Sequence, residues 1–532
     1  MSVTLPPATA ARPDAAVDPA AAIAVSAAVA PFRPLHLWLL SAITLVAAAL
    51  RLWHIGDWSI WVDEAHTWRD VTMPLDDFAA SARGWYPTSY LLLRWLMEAG
   101  WLGQLTEGWL RLPFAFCGIV TVPLLALFGR RLVGRRAALL AALLLAINPW
   151  HIYWSQNARA YVLVGLFAVA AAGSFWIGVE RRSRPWYLVG VALALVAGSC
   201  HAAGLLLLPV FVAYPLLASG RLEGRRPLVL VAAGGLTLLL LPLVLELFPP
   251  LRIFMMARQE TAPSLLHLVQ TTAFYFRVPL VCAGMAGLVL LAPPRLRGRA
   301  LFLSLWALLP LLLLGVVGSM VVKVTARYAL CALPALVLLA AVACVRLGEV
   351  LVAAHRAPGR WTRLLPALVL PGILAVDMLS YDYLYFRVQN GDRGRWREAS
   401  AIVQHAAGDT PLLVATTHEP VLMYYLRPNN YRSAADMAID PDDTLVVSIE
   451  PHHLYQMHEG ERTDGFDYVK SLRDLAVVEG RALLFAAALP ELREKDRDGT
   501  LRQALRRDCE LIEVLPCWVG PKDESIYVWK LR

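Results

Sequence analysis

The feature that most constrains this chain is a recurring apolar segment of bilayer length. A helix of about 20 apolar residues crosses a lipid bilayer because it satisfies its own backbone hydrogen bonds. The chain is 58% hydrophobic and only 17% charged, far from the balance of a soluble protein. Twelve candidate segments of this kind occur: 36–52, 87–103, 111–129, 137–154, 160–179, 185–200, 203–219, 227–247, 278–292, 300–318, 328–346 and 364–380. The sequence therefore predicts a polytopic α-helical membrane protein.

Basic loops between these segments predict how the chain crosses the membrane. Short Arg-rich loops mark the cytoplasmic side of a membrane protein. If they do so here and the amino terminus is also inside, residues 53–110 must all lie outside. Segment 87–103, which carries Arg94 and Glu98, then lies on the outer interface as an amphipathic helix. About eleven spans remain. The loops that fix this count are 129–136, 180–184, 220–226, 295–299 and 346–363.

Charge divides the chain into unlike parts. Residues 1–380 hold 30 Lys+Arg against 16 Asp+Glu, a net +14, whereas residues 381–532 hold 19 against 25, a net −6. We expect a disordered cytoplasmic tail over 1–34, a transmembrane domain over 35–380 and a periplasmic domain over 381–532. In the last part, β-rich runs alternate with helical stretches, which predicts an α/β fold. Its cysteines, Cys509 and Cys517, could form a disulfide if the domain is exported.

The most distinctive polar motif is WVDEAHT, residues 61–67, which follows the first apolar segment. It sets Asp63 and Glu64 among tryptophans that suit an interface and could stack on sugars: Trp53, Trp58, Trp61 and Trp68. Arg159, Arg327 and Lys323 also fall at outer ends of predicted spans. Arginine and lysine there could hold a phosphate at headgroup depth, while a carboxylate takes a proton from an attacking hydroxyl. Sugar transfer from a polyprenyl phosphate fits this arrangement.

Two other functions remain alternatives at this point. A lipid-linked glycan transporter or flippase would place polar residues near the bilayer midplane, and several predicted spans carry no charge at all. A non-catalytic assembly subunit would not need the Asp-Glu pair. Nucleic-acid binding is not expected, because the basic residues lie at span ends and not in one stripe.

The motifs together resemble a known family. WVDEAHT (61–67), the segment 111–149, QNARAYVL (156–163) and TARYALCALPALVLLAA (325–341) are similar in order and position to motifs of GT-C membrane glycosyltransferases. The similarity is to the glycosyltransferase family 39 and RgtA/B/C/D-like group, which includes protein O-mannosyltransferases and the aminoarabinose transferase. It covers roughly residues 35–440. Relatives often begin the interfacial helix with His-Pro-Pro-Leu-Tyr-Tyr, where this chain has Tyr86-Pro87-Thr88-Ser89-Tyr90.

The resemblance implies roles for particular residues. By position, Asp63 is similar to the catalytic base and Glu64 to its acidic partner, which could instead orient a neighbour or bind a metal. His201 resembles a histidine that some relatives carry, although helix capping would also explain it. The remaining candidates for substrate contact are Tyr86, Tyr90 and Arg111, of which Arg111 could simply mark a span end.

The sequence thus predicts a glycosyltransferase of a bacterial inner membrane, with its amino terminus in the cytoplasm and its site facing the periplasm. Its expected partners are membrane lipids, a polyprenyl-phosphate sugar donor, and a glycan, lipid or protein that accepts a hexose or pentose. No cofactor is assigned, and a divalent cation is possible. The sugar, the acceptor and any metal requirement stay open.

Overall fold

The computed structural model describes most of the chain outside a few segments. The described residues are 31–81, 84, 86–101, 106–218, 265–291, 297–320, 324–354, 360–426, 444–449, 464–519 and 522–532. The expected amino-terminal tail, the expected span 227–247 and Lys323 therefore lie wholly or almost wholly outside them.

The membrane part is built from fifteen α-helices and two 3₁₀ helices within the described ranges. Two 3₁₀ helices, Ala202–Leu206 and Ala326–Ala332, each lead directly into a following α-helix. The α-helices are α1 (Pro34–Leu52), α2 (Val62–Thr72), α3 (Leu75–Ala80), α4 (Thr88–Glu98), α5 (Glu107–Val133), α6 (Arg135–Ala146), α7 (Pro149–Ser155), α8 (Tyr161–Arg181), α9 (Arg184–Cys200), α10 (Leu207–Ala218), α11 (Leu265–Phe276), α12 (Val278–Leu290), α13 (Arg297–Met320), α14 (Leu333–Ala354) and α15 (Arg360–Arg387).

Six helices in the described residues are long and apolar enough to cross a membrane, or up to eight if each bent pair forms one span. The protein is accordingly a multi-pass membrane protein, but the expected count of about eleven spans is not confirmed. Helices α9 and α10 fall below span length, although both are apolar. Segment 87–103 forms only the 11-residue helix α4, about 16 Å long and too short to span.

Two bends interrupt helices of the bundle. Helices α6 and α7 meet at 59°, where Pro149 starts a new helix and the Asn148 side chain accepts a hydrogen bond from the His151 N–H. Helices α11 and α12 meet at 99° around Arg277, whose φ of 74° lies in the left-handed region. Proline removes a helical donor, so such breaks are expected at Pro149 and just after Arg277, at Pro279.

The chain after α15 forms an α/β unit. Its helices are α16 (Trp396–Ala407), α17 (Glu419–Leu426), α18 (Gly465–Glu479), α19 (Leu489–Lys495) and α20 (Thr500–Asp508). Its strands are β1 (Leu412–Thr416), β2 (Leu445–Ser448), β3 (Ala482–Ala488), β4 (Cys509–Leu515), β5 (Trp518–Val519), β6 (Lys522–Asp523) and β7 (Ile526–Leu531). The main sheet has the order β2-β1-β3-β7-β4, parallel across the first three strands and antiparallel across the last three, while β5 and β6 form a separate pair.

The disulfide between Cys509 and Cys517 that the sequence left possible is not formed in this structure. Both thiols are free and buried. Cys509 begins strand β4, which runs to Leu515, so the two residues lie at opposite ends of an extended segment. At about 3.4 Å per residue the strand separates them by roughly 20 Å, far beyond the span of a disulfide. The Cys517 thiol instead donates to the backbone oxygen of Arg393 at 3.0 Å.

Candidate functional site

Asp63 lies in the first turn of α2, where the helix dipole favours a negative charge. Its Oδ2 is 3.0 Å from Nη1 of Arg327 and 3.9 Å from Nε of Arg159. The three side chains keep 22%, 28% and 16% of their surface exposed, respectively. The structure therefore brings together one carboxylate and two guanidinium groups that are 96 and 264 residues away from it in sequence. All three side chains remain partly exposed, so a substrate can reach them.

Arg159 is held by the turn between α7 and α8. Its Nη1 donates to the Asp63 backbone oxygen at 3.2 Å, to Oγ1 of Thr67 at 3.2 Å and to the Tyr90 hydroxyl at 3.4 Å. Burial lowers the pKa of Arg159, but Tyr90, Asp63 and Tyr161 outweigh burial, so the pKa is raised overall. Arg159 is therefore a permanent positive charge fixed against helix α2.

Arg327 enters from the 3₁₀ helix that precedes α14, and aromatic rings surround it. Its guanidinium carbon lies 5.6 Å from the ring centre of Tyr161 and 5.7 Å from that of Tyr328. The His201 ring contacts both tyrosines, at 5.0 and 4.9 Å between centroids. The Tyr86 ring stacks on the His201 ring, with 6.0 Å between their centroids. Four of the residues predicted from the sequence, Arg327, Arg159, His201 and Tyr86, thus lie around the same opening as Asp63.

His201 is fixed in one tautomer. Its Nδ1 accepts the backbone N–H of Ala203 at 3.1 Å, so this nitrogen caps the turn after α9. The neutral ring then carries its proton on Nε2. Burial, together with the charges of Arg159 and Arg327, lowers the pKa of His201 to about 3. His201 can therefore cap the turn through Nδ1 and, at the same time, donate a hydrogen bond to a substrate from Nε2.

Glu64 has the opposite environment from its neighbour Asp63. It is fully buried and accepts hydrogen bonds from Nε and Nη2 of Arg111 at 2.8 and 2.7 Å and from the Ala158 N–H at 2.9 Å. Nε of Arg393 lies 3.4 Å from its second oxygen. Burial raises the pKa of Glu64, but Arg111, Arg393 and the hydrogen bonds hold it below its ordinary value. Glu64 is an ionised internal anchor with no exposed surface for a substrate.

Arg111 was expected as a possible substrate contact, and the structure does not support that role. Arg111 is fully buried. All five of its N–H groups are used: two bind Glu64, and the others bind the backbone oxygens of Ile55, Trp58 and Ser59. It fastens the loop before α2 to helix α5. Trp58 and Trp68, expected as possible sugar platforms, are likewise buried in protein contacts.

The carboxy-terminal unit supports this loop through residues that the sequence did not single out. The Tyr425 hydroxyl accepts the Ile60 N–H at 2.8 Å and donates to Oε1 of Glu107 at 2.8 Å. Arg397 binds the same Glu107 oxygen at 2.6 Å and the Gly56 backbone oxygen at 2.9 Å. No local pattern marks these residues, because their partners are more than 280 residues away in sequence.

The site does not fit a divalent cation. Within the described part of the chain, no three His, Cys, Asp or Glu side chains gather where they could hold a metal ion. Asp63 faces two guanidinium groups, which repel a cation, and Glu64 is already saturated by Arg111 and a backbone N–H.

Residues 91–245 match the family model of the dolichyl-phosphate-mannose-protein mannosyltransferases. A search of curated proteins gave no match. Among solved structures, the apo oligosaccharyltransferase of Archaeoglobus fulgidus is 13% identical, with a TM-score of 0.57 over 90% of this chain and 73% of that one. ArnT of Cupriavidus metallidurans is 15% identical in two forms. The apo form has a TM-score of 0.52 and the form bound to undecaprenyl phosphate 0.50, each over 93% of this chain and 97% of that one.

The matched sequence segment contains Arg159 and His201, and the structural matches extend over nearly the whole chain. At these identities the structures establish the fold. The predicted resemblance is confirmed: the chain is a membrane protein of the GT-C fold that carries the sequence signature of the dolichyl-phosphate-mannose-protein mannosyltransferase family over residues 91–245.

Proposed function

We propose that this protein is a glycosyltransferase that moves a sugar from a polyprenyl-phosphate donor to a hydroxyl group of a cell-envelope glycan, lipid or protein. The observation that carries the proposal is the partly exposed Asp63 carboxylate held between Arg159 and Arg327. Undecaprenyl phosphate is bound in one of the ArnT structures with this fold, which supports a lipid-phosphate donor.

The charges of the site suit such a donor. Two guanidinium groups and one carboxylate leave a net charge of +1. A polyprenyl-phosphate sugar carries one negative charge, so its entry neutralises the site. Arginine binds phosphate oxygens with paired N–H groups. Arg327, now bound to Asp63, would turn one N–H to the phosphate and release the carboxylate for the acceptor.

Asp63 is the proton acceptor in this mechanism. The acceptor hydroxyl gives its proton to a free Asp63 oxygen as its own oxygen attacks the anomeric carbon of the sugar. The bond between that carbon and the phosphate oxygen breaks, and the phosphate keeps both electrons. Arg159 and Arg327 stabilise the second negative charge that develops on it. One displacement inverts the configuration at the anomeric carbon.

The other polar groups near Asp63 are less suited to take the proton. Glu64 is buried and held by Arg111, as described above. His201 already carries a proton on its free nitrogen, so Nε2 would donate to a sugar or phosphate oxygen. Lys323, predicted as a third phosphate ligand, lies outside the described residues and remains an expectation.

We further propose that the site faces the periplasm of a bacterial inner membrane. The Arg-rich loops at the opposite ends of the helices favour a cytoplasmic location for those ends. Residues 381–532 would then form an external domain that limits acceptor access. This orientation also explains the use of a lipid-linked donor, since the external face lacks a pool of nucleotide sugars.

The test is transfer from a defined set of radiolabelled polyprenyl-phosphate sugars in membranes that contain the wild type, Asp63→Asn or Asp77→Asn. Asp77, an exposed residue of α3, is the matched control. We expect transfer by the wild type and the control only. If no donor yields transfer by the wild type, the glycosyltransferase proposal fails, and movement or assembly of lipid-linked glycans gains support. If Asp63→Asn transfers normally, the assignment of Asp63 fails but the function stands.

A further inference from the structure

A second polar feature lies beside the site in a small aromatic pocket, which we name the Asp392 pocket. Its lining includes Trp150, Tyr153, Tyr275, Tyr381, Tyr385 and Asp392. These residues come from α7, α11, the end of α15 and the turn that follows it. The pocket has room for one group about the size of a water molecule or an ammonium ion.

One carboxylate oxygen of Asp392 lacks a hydrogen-bond donor among the described residues. Its Oδ1 is buried and accepts no hydrogen bond from any residue that the structure describes. Burial raises the pKa of Asp392 to about 6, although Arg393 lowers it. The carboxylate is therefore mainly ionised at neutral pH. A buried carboxylate oxygen without a hydrogen bond costs free energy, which an N–H donor on a cationic ligand would recover.

Close contacts hold the backbone around Asp392 in position. Asn390, Gly391 and Asp392 have φ values of 50°, 63° and 54°, a run of left-handed residues made of the three residue types that adopt this region most readily. Trp58 packs so closely on Gly391 that an added Cβ would lie 2.7 Å from the indole ring. Nη1 of Arg393 binds the Gly391 backbone oxygen at 2.7 Å.

The nearby guanidinium groups have acceptors of their own, although both also contact the pocket lining. Arg393 binds Glu64 and the backbone oxygens of Gly391 and Gln156, and its Nη1 donates to the Tyr385 hydroxyl at 3.4 Å. Arg277 forms a two-point ion pair with Asp377, at 3.0 and 2.8 Å. Its guanidinium carbon lies 4.4 Å from the ring centre of Tyr381, and that of Arg393 lies 5.5 Å from the ring centre of Tyr153, so two rings of this pocket already contact cations.

We propose that the Asp392 pocket binds a primary ammonium group. The ammonium would donate hydrogen bonds to Oδ1 of Asp392 and to tyrosine hydroxyls, with aromatic rings around it. The group could belong to an ethanolamine headgroup of a membrane lipid or to an amino sugar. A quaternary ammonium has no N–H to donate and is too large for the space. This inference does not depend on the proposed transfer reaction.

The experiment is a titration of the purified full-length protein with methylammonium chloride, followed by tryptophan fluorescence, since Trp150 lines the pocket. Tetramethylammonium chloride and sodium chloride at equal ionic strength are the ligand controls. We expect a saturable change with methylammonium in the wild type and in Glu398→Gln, which alters an exposed carboxylate nearby. In Asp392→Asn the dissociation constant should rise about tenfold or more, because a charge-assisted hydrogen bond is lost.

An equal response of Asp392→Asn and the wild type would overturn the proposal, and so would an equal response to tetramethylammonium. Asn has nearly the size of Asp, and a circular dichroism spectrum checks that the variant is folded. Competition then assigns the source. Vesicles of phosphatidylethanolamine, but not phosphatidylcholine, should weaken methylammonium binding if a lipid fills the pocket. Glucosamine, but not glucose, should do so if a sugar does. Failure of both competitors would also overturn the proposal.

Discussion

The adjacent residues Asp63 and Glu64 allow one sharp test, because the structure gives them opposite roles. We consider Asp63→Asn and Glu64→Gln, two changes that remove one negative charge each with little change in size. Asp63 is partly exposed beside two arginines, whereas Glu64 is fully buried between Arg111 and Arg393. The first change should mainly affect transfer and the second mainly affect stability.

The stability cost of Glu64→Gln follows from its contacts. The change leaves two fully buried guanidinium groups, those of Arg111 and Arg393, without their counter-ion. Gln also turns one acceptor into an N–H₂ donor opposite an arginine N–H. Breaking a buried ion pair in this way costs about 3 to 5 kcal/mol. Because whole domains are stable by only about 5 to 15 kcal/mol, the midpoint of thermal unfolding in detergent should fall markedly.

The cost of Asp63→Asn should be much smaller. Partly exposed ion pairs contribute about 0 to 1 kcal/mol, so the unfolding midpoint should change little. Transfer should fall about 10²- to 10⁴-fold, the usual contribution of a general base. Glu64→Gln, assayed at a temperature where it is folded, should keep transfer within about tenfold of the wild type, because Glu64 has no exposed surface.

Thermal unfolding of each purified variant and sugar transfer per folded molecule are the two measurements. If Glu64→Gln unfolds at the wild-type temperature, the buried cluster does not stabilise the loop as we describe. If Asp63→Asn keeps full transfer, Asp63 is not the base. A loss of both stability and transfer in both variants would mean that the two carboxylates act as one structural unit, which contradicts the geometry.

Three further predictions concern His201, Arg327 and Tyr425. The pKa of His201 is lowered to about 3 in the folded protein and is about 6.5 in the unfolded chain, so unfolding takes up a proton as pH falls through 6.5. The free energy of unfolding of the wild type should therefore drop by about 1.4 kcal/mol between pH 7.5 and 5.5. His201→Asn should lose this part of the pH dependence in thermal unfolding. Arg327→Lys keeps the charge but not the planar N–H pair, so kcat/KM for the lipid donor should fall roughly 10- to 100-fold in steady-state assays, and an unchanged value would remove Arg327 from the donor site. Tyr425→Phe removes the hydroxyl that joins Ile60 to Glu107, so backbone hydrogen exchange should quicken over residues 55–62 and kcat should fall with KM unchanged. The control Tyr527→Phe, in strand β7, should change neither the exchange rate nor kcat.

Much of the fold was predictable because membrane insertion depends on local composition. The apolar segments around 36–52, 111–129 and 160–179 all correspond to helices of spanning length. The number of spans was not predictable in this way. Proline and positive-φ residues divide some apolar runs into bent pairs, such as α11 and α12, and hydrophobicity summed along a segment does not reveal where a helix bends.

The site was predictable in part. Charge is rare near the membrane, which points to Asp63, Arg159 and Arg327, and the structure places these residues together. The same reasoning points to Arg111, but Arg111 is fully buried and bound to Glu64. Charge at a span end shows that a side chain is near the interface. It does not show whether the side chain points into an open site or into the protein.

Local composition is enough to show that this protein lies in a membrane and that two carboxylates follow its first apolar helix. Which of the two carboxylates is exposed and which is buried depends on the tertiary fold. Residues one apart on a helix point about 100° away from each other. Asp63 therefore meets the opening lined by Arg159 and Arg327, while Glu64 meets Arg111 and Arg393. Those partners come from 47 to more than 300 residues further along the chain, and only folding could bring them there.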